Sequence, residues 1–391
     1  MTELRFIGVD AHRDFAHVSE IREGKVIASY RVLLDADGLC ELKKKLGPDA
    51  HVVFEASTGS FRLYDELAPH AGRVVVAHPA QTRGAAALQA KTDRLDSEIL
   101  ARLLSVGFVR EVWVPDPEVR AMRMLIEYRQ TLTTLLTATQ NRLKGLMRQE
   151  MLHPPPGSAT RSEWRKFVEG CTFTSPICSL YSESLFRVMD LTVTEIDKLD
   201  AEFSRWSAGS EDARLLMTIP GVGPVIAAFL LSQIGDVHRF PAPRQLCAYA
   251  GIVPRVYQSG LTSRTGAITR AGRAPLRWAL TSAVMHAKRR PGALHDFAEG
   301  LSKRRPKGVV LVACARKLLT IIWHMLSHHC PYRDQDEALT ARKLANLSAR
   351  GVTKADRADN PETSGIAPQS MEGCPARSKR RGTVRTSASM N

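Results

Sequence analysis

Four carboxylates in the first hundred residues are placed to gather metal ions. Asp10 ends the apolar run Phe6-Ile7-Gly8-Val9-Asp10, and Glu55 ends a second, His51-Val52-Val53-Phe54-Glu55. Asp93 and Asp96 stand three apart in a stretch of helical character. Cleavage of a phosphodiester by two Mg²⁺ ions needs hard oxygen ligands clustered tightly enough to clamp the attacking and leaving oxygens. A carboxylate at the end of a buried strand is held rigidly while it faces solvent, and an i,i+3 pair puts two more on one helix face. Four anions so close repel one another unless cations neutralise them, so the cluster makes sense mainly as a metal site. Singly, each residue has a plainer role as a turn residue, an N-cap or part of a solvated helix face. The order strand-Asp, strand-Glu, helix-Asp-x-x-Asp is what favours metal chemistry.

Those acids need elements to hold them. Residues 4–9, 15–21 and 25–33 read as three short strands, with Glu23-Gly24 as the tight turn between the last two. A helix follows over about 38–46, then the strand ending at Glu55, a helix over 60–70 and the strand Arg73-Val74-Val75-Val76-Ala77. A long helix through 84–105 then carries Asp93 and Asp96. Three meandering strands followed by alternating helix and strand is the ribonuclease-H-like order, a mixed sheet covered by helices. Its first strand lies mid-sheet, which makes the Asp10 terminus a natural catalytic position.

From about 117 to 150 the pattern becomes a long polar helix with Leu125, Leu132, Leu136, Leu143 and Met147 on one face, ended by the break His153-Pro154-Pro155-Pro156-Gly157. A second helical stretch carries Ile196, Leu199, Phe203 and Trp206. Two such stripes make an antiparallel hairpin, an intermolecular coiled coil or ordinary bundle packing. Residues 213–330 read as a third, helical region. It opens with Ile219-Pro220-Gly221-Val222-Gly223-Pro224, a turn resembling a helix-hairpin-helix whose backbone N–H groups, at Gly221 and Gly223, can hold a phosphate. A plain helical turn fits the same residues. Past about 345 apolar periodicity is lost, and the segment ending in Arg377-Ser378-Lys379-Arg380-Arg381 reads as a disordered basic tail.

A second chemical centre lies between Cys247 and Trp278. Tyr257-Gln258-Ser259-Gly260, Ser263-Arg264-Thr265-Gly266 and Thr269-Arg270-Ala271-Gly272-Arg273 combine hydroxyls, glycine turns and arginines with few acids, and Arg255 and Arg277 add to the set. Arginines make forked phosphate contacts, and a hydroxyl held among them can attack phosphorus. Ser-Gly is also ordinary turn chemistry, and such a loop can bind a nucleic-acid backbone without reacting.

The chain of 391 residues has room for two or three domains, and its net charge of +15 with pI near 9.7 implies a polyanionic partner, nucleic acid first. Its seven cysteines lack C-x-x-C spacing, so neither a zinc site nor a disulfide framework is expected. No membrane anchor stands out and the N-terminus lacks the apolar core of a signal peptide, so a cytoplasmic, nucleoid-associated protein is expected.

Taken together these segments resemble the DEDD transposases of the insertion sequence 110 family. The resemblance rests on Ile7-Gly8-Val9-Asp10, Phe54-Glu55-Ala56-Ser57-Thr58-Gly59 and Lys91-Thr92-Asp93-Arg94-Leu95-Asp96 in the first part. In the second it rests on Ile219 to Pro224, Tyr249-Ala250-Gly251-Ile252-Val253-Pro254, Gln258-Ser259-Gly260 and Ile268-Thr269-Arg270-Ala271-Gly272-Arg273. It implies a RuvC-like catalytic domain over 1–115, a helical coiled-coil region over 116–210 and a C-terminal transposase domain over 211–335, with the basic tail at 346–391. It implies that Asp10, Glu55, Asp93 and Asp96 bind Mg²⁺ and that Ser259 is the reactive serine, with Ser263 as the second candidate. The expected reaction is excision and insertion of the element's own DNA by a dimer or tetramer, in some members guided by a structured RNA. Ser97 departs from the family's small apolar residue after the last acid. A RuvC-type nuclease using water, and a non-catalytic nucleic-acid-binding protein, are the alternatives.

Overall fold

The apolar run ending at Asp10 forms β1 (Arg5–Ala11), the central strand of a five-stranded sheet ordered β3-β2-β1-β4-β5. β2 (Phe15–Arg22) and β3 (Lys25–Leu33) continue from it as an antiparallel meander, and β4 (Ala50–Glu55) and β5 (Arg73–Ala77) pair in parallel on its other side. Glu23 and Gly24 both take positive φ, 48° and 76°, which is the backbone twist a two-residue hairpin turn requires. The parallel crossovers are α1 (Ala36–Lys45), whose N-terminus is capped by Asp35 Oδ1 accepting from Gly38 N at 2.8 Å, and α2 (Ser60–Leu67). The computed structural model describes residues 3–79, 92–153, 155–156, 160–259 and 262–358.

Side chains alternate across the sheet. Ile7, Val9, Val52, Phe54 and Val76 enter one core with Leu42, Leu63 and Leu67 of α1 and α2. Val53, Val75 and Ala77 enter a second core with Leu100 and Leu104 of α3 (Asp93–Ser105). Helices therefore cover both faces, giving the α/β half of the expected fold.

The chain divides into two compact units, Met1–Met122 and Arg123–Asn391, and the division falls inside α4 (Pro117–Gln149). In the second unit α4 and α6 (Pro176–Gly209) lie antiparallel. Arg129 pairs with Asp200 toward one end, while Leu143, Leu146 and Met147 pack on Leu185, Phe186 and Met189 toward the other. α5 (Arg161–Glu169) closes that end with Val168 and Trp164. The two helices thus form a hairpin within one chain, but the residues that meet α4 are Leu185, Phe186 and Met189 rather than the expected second stripe, whose Phe203 packs on the Phe229 ring.

Beyond them α7 (Glu211–Leu216), α9 (Pro243–Tyr249), α10 (Ala274–Ala287) and α11 (Ala293–Ser302) accompany α8 (Pro224–Ile234), which is apolar on every side and buried from Ala227 to Ile234. α12 (Lys307–His328) is long and apolar enough to cross a membrane, yet Val310, Cys314, Leu318, Leu319 and Ile322 are buried inside this unit, as in a core helix.

Two expectations for this half need correction. The region is not wholly helical: β6 (Pro254–Ser259) and β7 (Thr262–Ile268) form a two-stranded antiparallel ribbon. The chain past 345 is not structureless either, because α13 runs from Glu337 to Ala358. Leu347 is buried, and Lys343 Nζ donates to the carbonyls of Met217 and Ile219 at 2.6 and 2.8 Å. A helix can be held by a few such anchors without a full apolar stripe. The remainder of the expected tail, 359–391, lies outside the described residues.

Candidate functional site

The parallel register of β1 and β4 pairs Val9 with Phe54, so Asp10 and Glu55 leave adjacent strands at the same level. Adjacent strands lie about 4.8 Å apart. Because Val9 and Phe54 point to the α1/α2 core, alternation sends Asp10 and Glu55 to the opposite face, the one covered by α3. Register and period together bring two of the four acids side by side.

α3 brings the other two from its first turn. Its expected start near 84 is corrected: Thr92 is extended (φ −141°, ψ 146°), and its Oγ1 accepts from Leu95 N at 3.3 Å as an N-cap. Residues 84–91 lie outside the described residues. Asp93 and Asp96 consequently sit where the unpaired N–H groups and positive end of a helix favour anions.

Gly8 and Ser97 set how closely α3 approaches. A Cβ on Gly8 would lie 1.9 Å from Ser97 O and 2.7 Å from Ala101 N, so only glycine admits the helix at this distance. The Ser97 hydroxyl is fully buried and lies 2.8 Å from Ser19 Oγ and 3.2 Å from His17 Nδ1, while donating to Arg94 O at 2.9 Å. The departure from a small apolar residue here is a polar tie between α3 and β2.

His12 is a ligand-capable group that the sequence reading missed. Its Nε2 lies 3.2 Å from Asp10 Oδ2 and 3.3 Å from Asp93 Oδ1. Donor atoms of Asp10, His12 and Asp93 all fall within 4.8 Å of one another, a set able to hold a metal ion. Two residues past Asp10 is the same face of an extended chain, which was the available signal. Burial raises the Asp10 carboxyl above its ordinary value; His12 opposes this, and Asp96, Asp93 and Glu55 each add to it. The other three acids thus all bear on Asp10, the electrostatic condition in which a divalent cation fits.

In the second unit the ribbon carries the hydroxyl candidates, with Ser259 paired to Thr262 and Ser263 to Gln258. Its base is pinched. A Cβ on Gly272 would lie 2.0 Å from Tyr249 O, and one on Gly251, whose φ is 69°, would lie 2.7 Å from Gly272 N. Arg277 Nη1 donates to Ala250 O at 3.2 Å and Gly272 O at 2.7 Å, so this arginine fastens the base. Arg255 Nη2 donates to Thr269 O at 3.3 Å. Arg264 and Arg270 are exposed, and Arg270 takes φ 52°. Arg273 N-caps α10 and lies with Arg123 and Arg239 around Tyr249. Burial pushes the Tyr249 phenol up, but these three guanidinium groups outweigh it and hold the phenol below its ordinary value.

The glycine-rich turn joins α7 to α8. Gly221 takes φ 87°, and a Cβ there would lie 2.7 Å from Ala283 O and from His286 Cβ, so this glycine serves packing against α10. Gly223 opens to space and borders a cleft of about 490 Å³ whose walls include His286, Arg289, Arg290 and Lys343. Burial lowers the Lys343 ammonium to about 8, against the pull of Asp336. The structure thus gathers acids in one unit and arginines, hydroxyls and a glycine turn in the other.

Comparison with known proteins agrees at both ends. The DEDD transposase model of the insertion sequence IS110 matches residues 7–152, and that of the IS116/IS110/IS902 transposase family matches residues 213–299. The transposase for insertion sequence element IS1111A of Coxiella burnetii is 26% identical over 345 residues, covering 85% of this chain and 92% of its own. A probable family 20 transposase of Pseudomonas aeruginosa is 28% identical over 251 residues, 62% of this chain and 74% of its own. The pilin gene-inverting protein of Moraxella bovis is 26% identical over 295 residues, 72% of this chain and 81% of its own. Since the two family matches together take in the acids, the glycine turn and the serine ribbon, the chain belongs to the IS110 family of transposases.

Proposed function

We propose that the protein is a DNA recombinase that excises and inserts its own insertion sequence, with metal held by Asp10, Glu55, Asp93 and Asp96 and with Ser259 as nucleophile. The observation that carries the reading is the register placing Asp10 and Glu55 side by side on the face where α3 presents Asp93 and Asp96. The sheet order, with β1 central and acids ending β1 and β4, supports a ribonuclease-H-like (RuvC-like) first unit. Relatives named as transposases and as a gene-inverting protein support DNA rearrangement.

Mg²⁺ bound by the four carboxylates would supply Lewis-acid stabilisation of the charge that builds on a phosphate. The Ser259 hydroxyl would attack phosphorus, giving its proton to a base while the bond to the departing strand's oxygen breaks and that oxygen takes up a proton. The resulting phosphoserine diester keeps the bond energy for rejoining. Ser263, facing Gln258 across the ribbon, is the second candidate. Arg255, Arg264, Arg270 and Arg273, with the open backbone at Gly223, would serve backbone phosphates and so hold DNA without reading sequence, while Arg277 fastens the ribbon's base and Gly221 packs on α10. A structured RNA from the element would then supply selection. A dimer or tetramer, with the α4/α6 hairpin as one interface, would hold the several strands that recombination brings together.

A suicide DNA substrate tests the chemistry. Wild-type protein should become covalently attached through Ser259, and Ser259→Ala should bind the substrate yet form no adduct. An adduct mapped to Ser263 moves the residue and keeps the mechanism. Free cleaved ends released by the alanine variant would show water to be the nucleophile and refute it.

A further inference from the structure

The geometry points to His12 as a nitrogen ligand of a divalent metal shared with Asp10 and Asp93, so that the ion sees a mixed imidazole–carboxylate shell. This rests on the proposed reading of the four acids as a metal site and adds a donor to it.

Three observations converge on the imidazole. The first is distance. Ligands spaced at right angles around an ion at about 2.1 Å are themselves about 3 Å apart, and His12 Nε2 stands 3.2 Å from Asp10 Oδ2 and 3.3 Å from Asp93 Oδ1. The second is that the ring is held. His12 N donates to Phe15 O at 2.8 Å across the tight β1–β2 connection, and the imidazole lies against the Phe15 ring with centroids 4.8 Å apart. Phe15 is backed in turn by the Arg31 guanidinium, 3.5 Å from its ring centroid. A side chain fixed by backbone and ring contact loses little freedom on binding an ion. The third is access: the His12 and Asp93 side chains are 40% and 48% exposed, so the shared point between them is open to an ion from solvent.

A nitrogen donor changes which ion the site prefers. Carboxylate and water suit Mg²⁺, whereas imidazole raises affinity along the first-row transition series, so the mixed shell favours Mn²⁺ over Mg²⁺ more strongly than four carboxylates alone.

Mn²⁺ alone, added to the full-length protein without DNA, gives the test. Pulsed electron paramagnetic resonance of the bound Mn²⁺ should show ¹⁴N modulation, which should change to the ¹⁵N pattern when histidine is supplied as ¹⁵N-histidine. That measurement needs no variant. His12→Ala should abolish the modulation, weaken Mn²⁺ binding about tenfold or more, and weaken Mg²⁺ binding less. Asp10→Asn should reduce binding of both ions. Mn²⁺ binding that depends on Asp10 but shows no histidine modulation, with unchanged affinity in His12→Ala, would leave His12 a mere brace for the acids and overturn this inference alone. Binding indifferent to Asp10→Asn and Asp93→Asn would overturn the metal-site reading beneath it.

Discussion

An aspartate pushed toward its protonated form by burial and by three other carboxylates destabilises the metal-free fold at neutral pH. The Asp10 carboxyl is raised in the folded chain, so its stabilising contribution is complete below the ordinary carboxylate range and is lost as pH rises through the raised value. Asp10→Asn removes the charge with little change of shape. Without divalent metal at pH 7 the variant should therefore melt above wild type, and the difference should close as pH falls toward about 4. Added Mg²⁺ should stabilise wild type and not the variant, reversing the order. Recombination by the variant should fall at least about 100-fold. Melting curves at two pH values, with and without metal, check this; equal melting at pH 7 would show that the acids do not repel. The four acids were legible because each ends or begins an element whose pattern is plain. His12 was not, because the alternation was followed only as far as Asp10.

At the scale of elements, the approach of α3 to the sheet is set at Gly8. Gly8→Ala places a methyl 1.9 Å from Ser97 O, so α3 must retreat and carry Asp93 and Asp96 with it. The cost expected of such overpacking is about 1–3 kcal/mol. Metal binding should be lost with it, while DNA binding by the second unit persists. Gly145→Ala, in a helix with nothing within 4 Å of its new methyl, is the matched control and should be neutral or stabilising. Calorimetry and Mn²⁺ titration of the two variants separate a steric effect from a general one. The strands of the first unit were legible to within two residues, since short apolar runs between turns leave few alternatives. The start of α3 was missed because Thr92 has a cap's side chain inside an otherwise helical stretch. The β6–β7 ribbon was missed because residues such as Val256 and Tyr257 are exposed together, so no inward–outward alternation marks the strands. α13 was missed because its anchors, Lys343 and Leu347, do not make a stripe.

For the whole molecule, a net charge of +15 makes counterion release a large part of nucleic-acid binding. Affinity should fall by about three or more orders of magnitude between roughly 50 and 200 mM salt, and fluorescence anisotropy at several salt concentrations measures the slope. Removing residues 359–391, which include Arg377, Lys379, Arg380 and Arg381, should make that slope shallower while leaving the melting temperature unchanged, because α13 is retained. A truncation that also melts lower would show that the segment stabilises the fold. Charge and the polyanionic partner were legible from composition; the division inside α4 was not, since one continuous helix carries no mark of it. The pinch at Gly251 and Gly272 has a consequence for descent. There the two feet of the β6–β7 ribbon meet backbone against backbone, and the tie across them, from Arg277, is made to the backbone carbonyls of Ala250 and Gly272. Such a joint acts as a graft point: the helical stock can keep its packing while ribbons of other lengths and sequences are carried on it. The ribbon is thereby free to diversify at a faster tempo than the body that bears it.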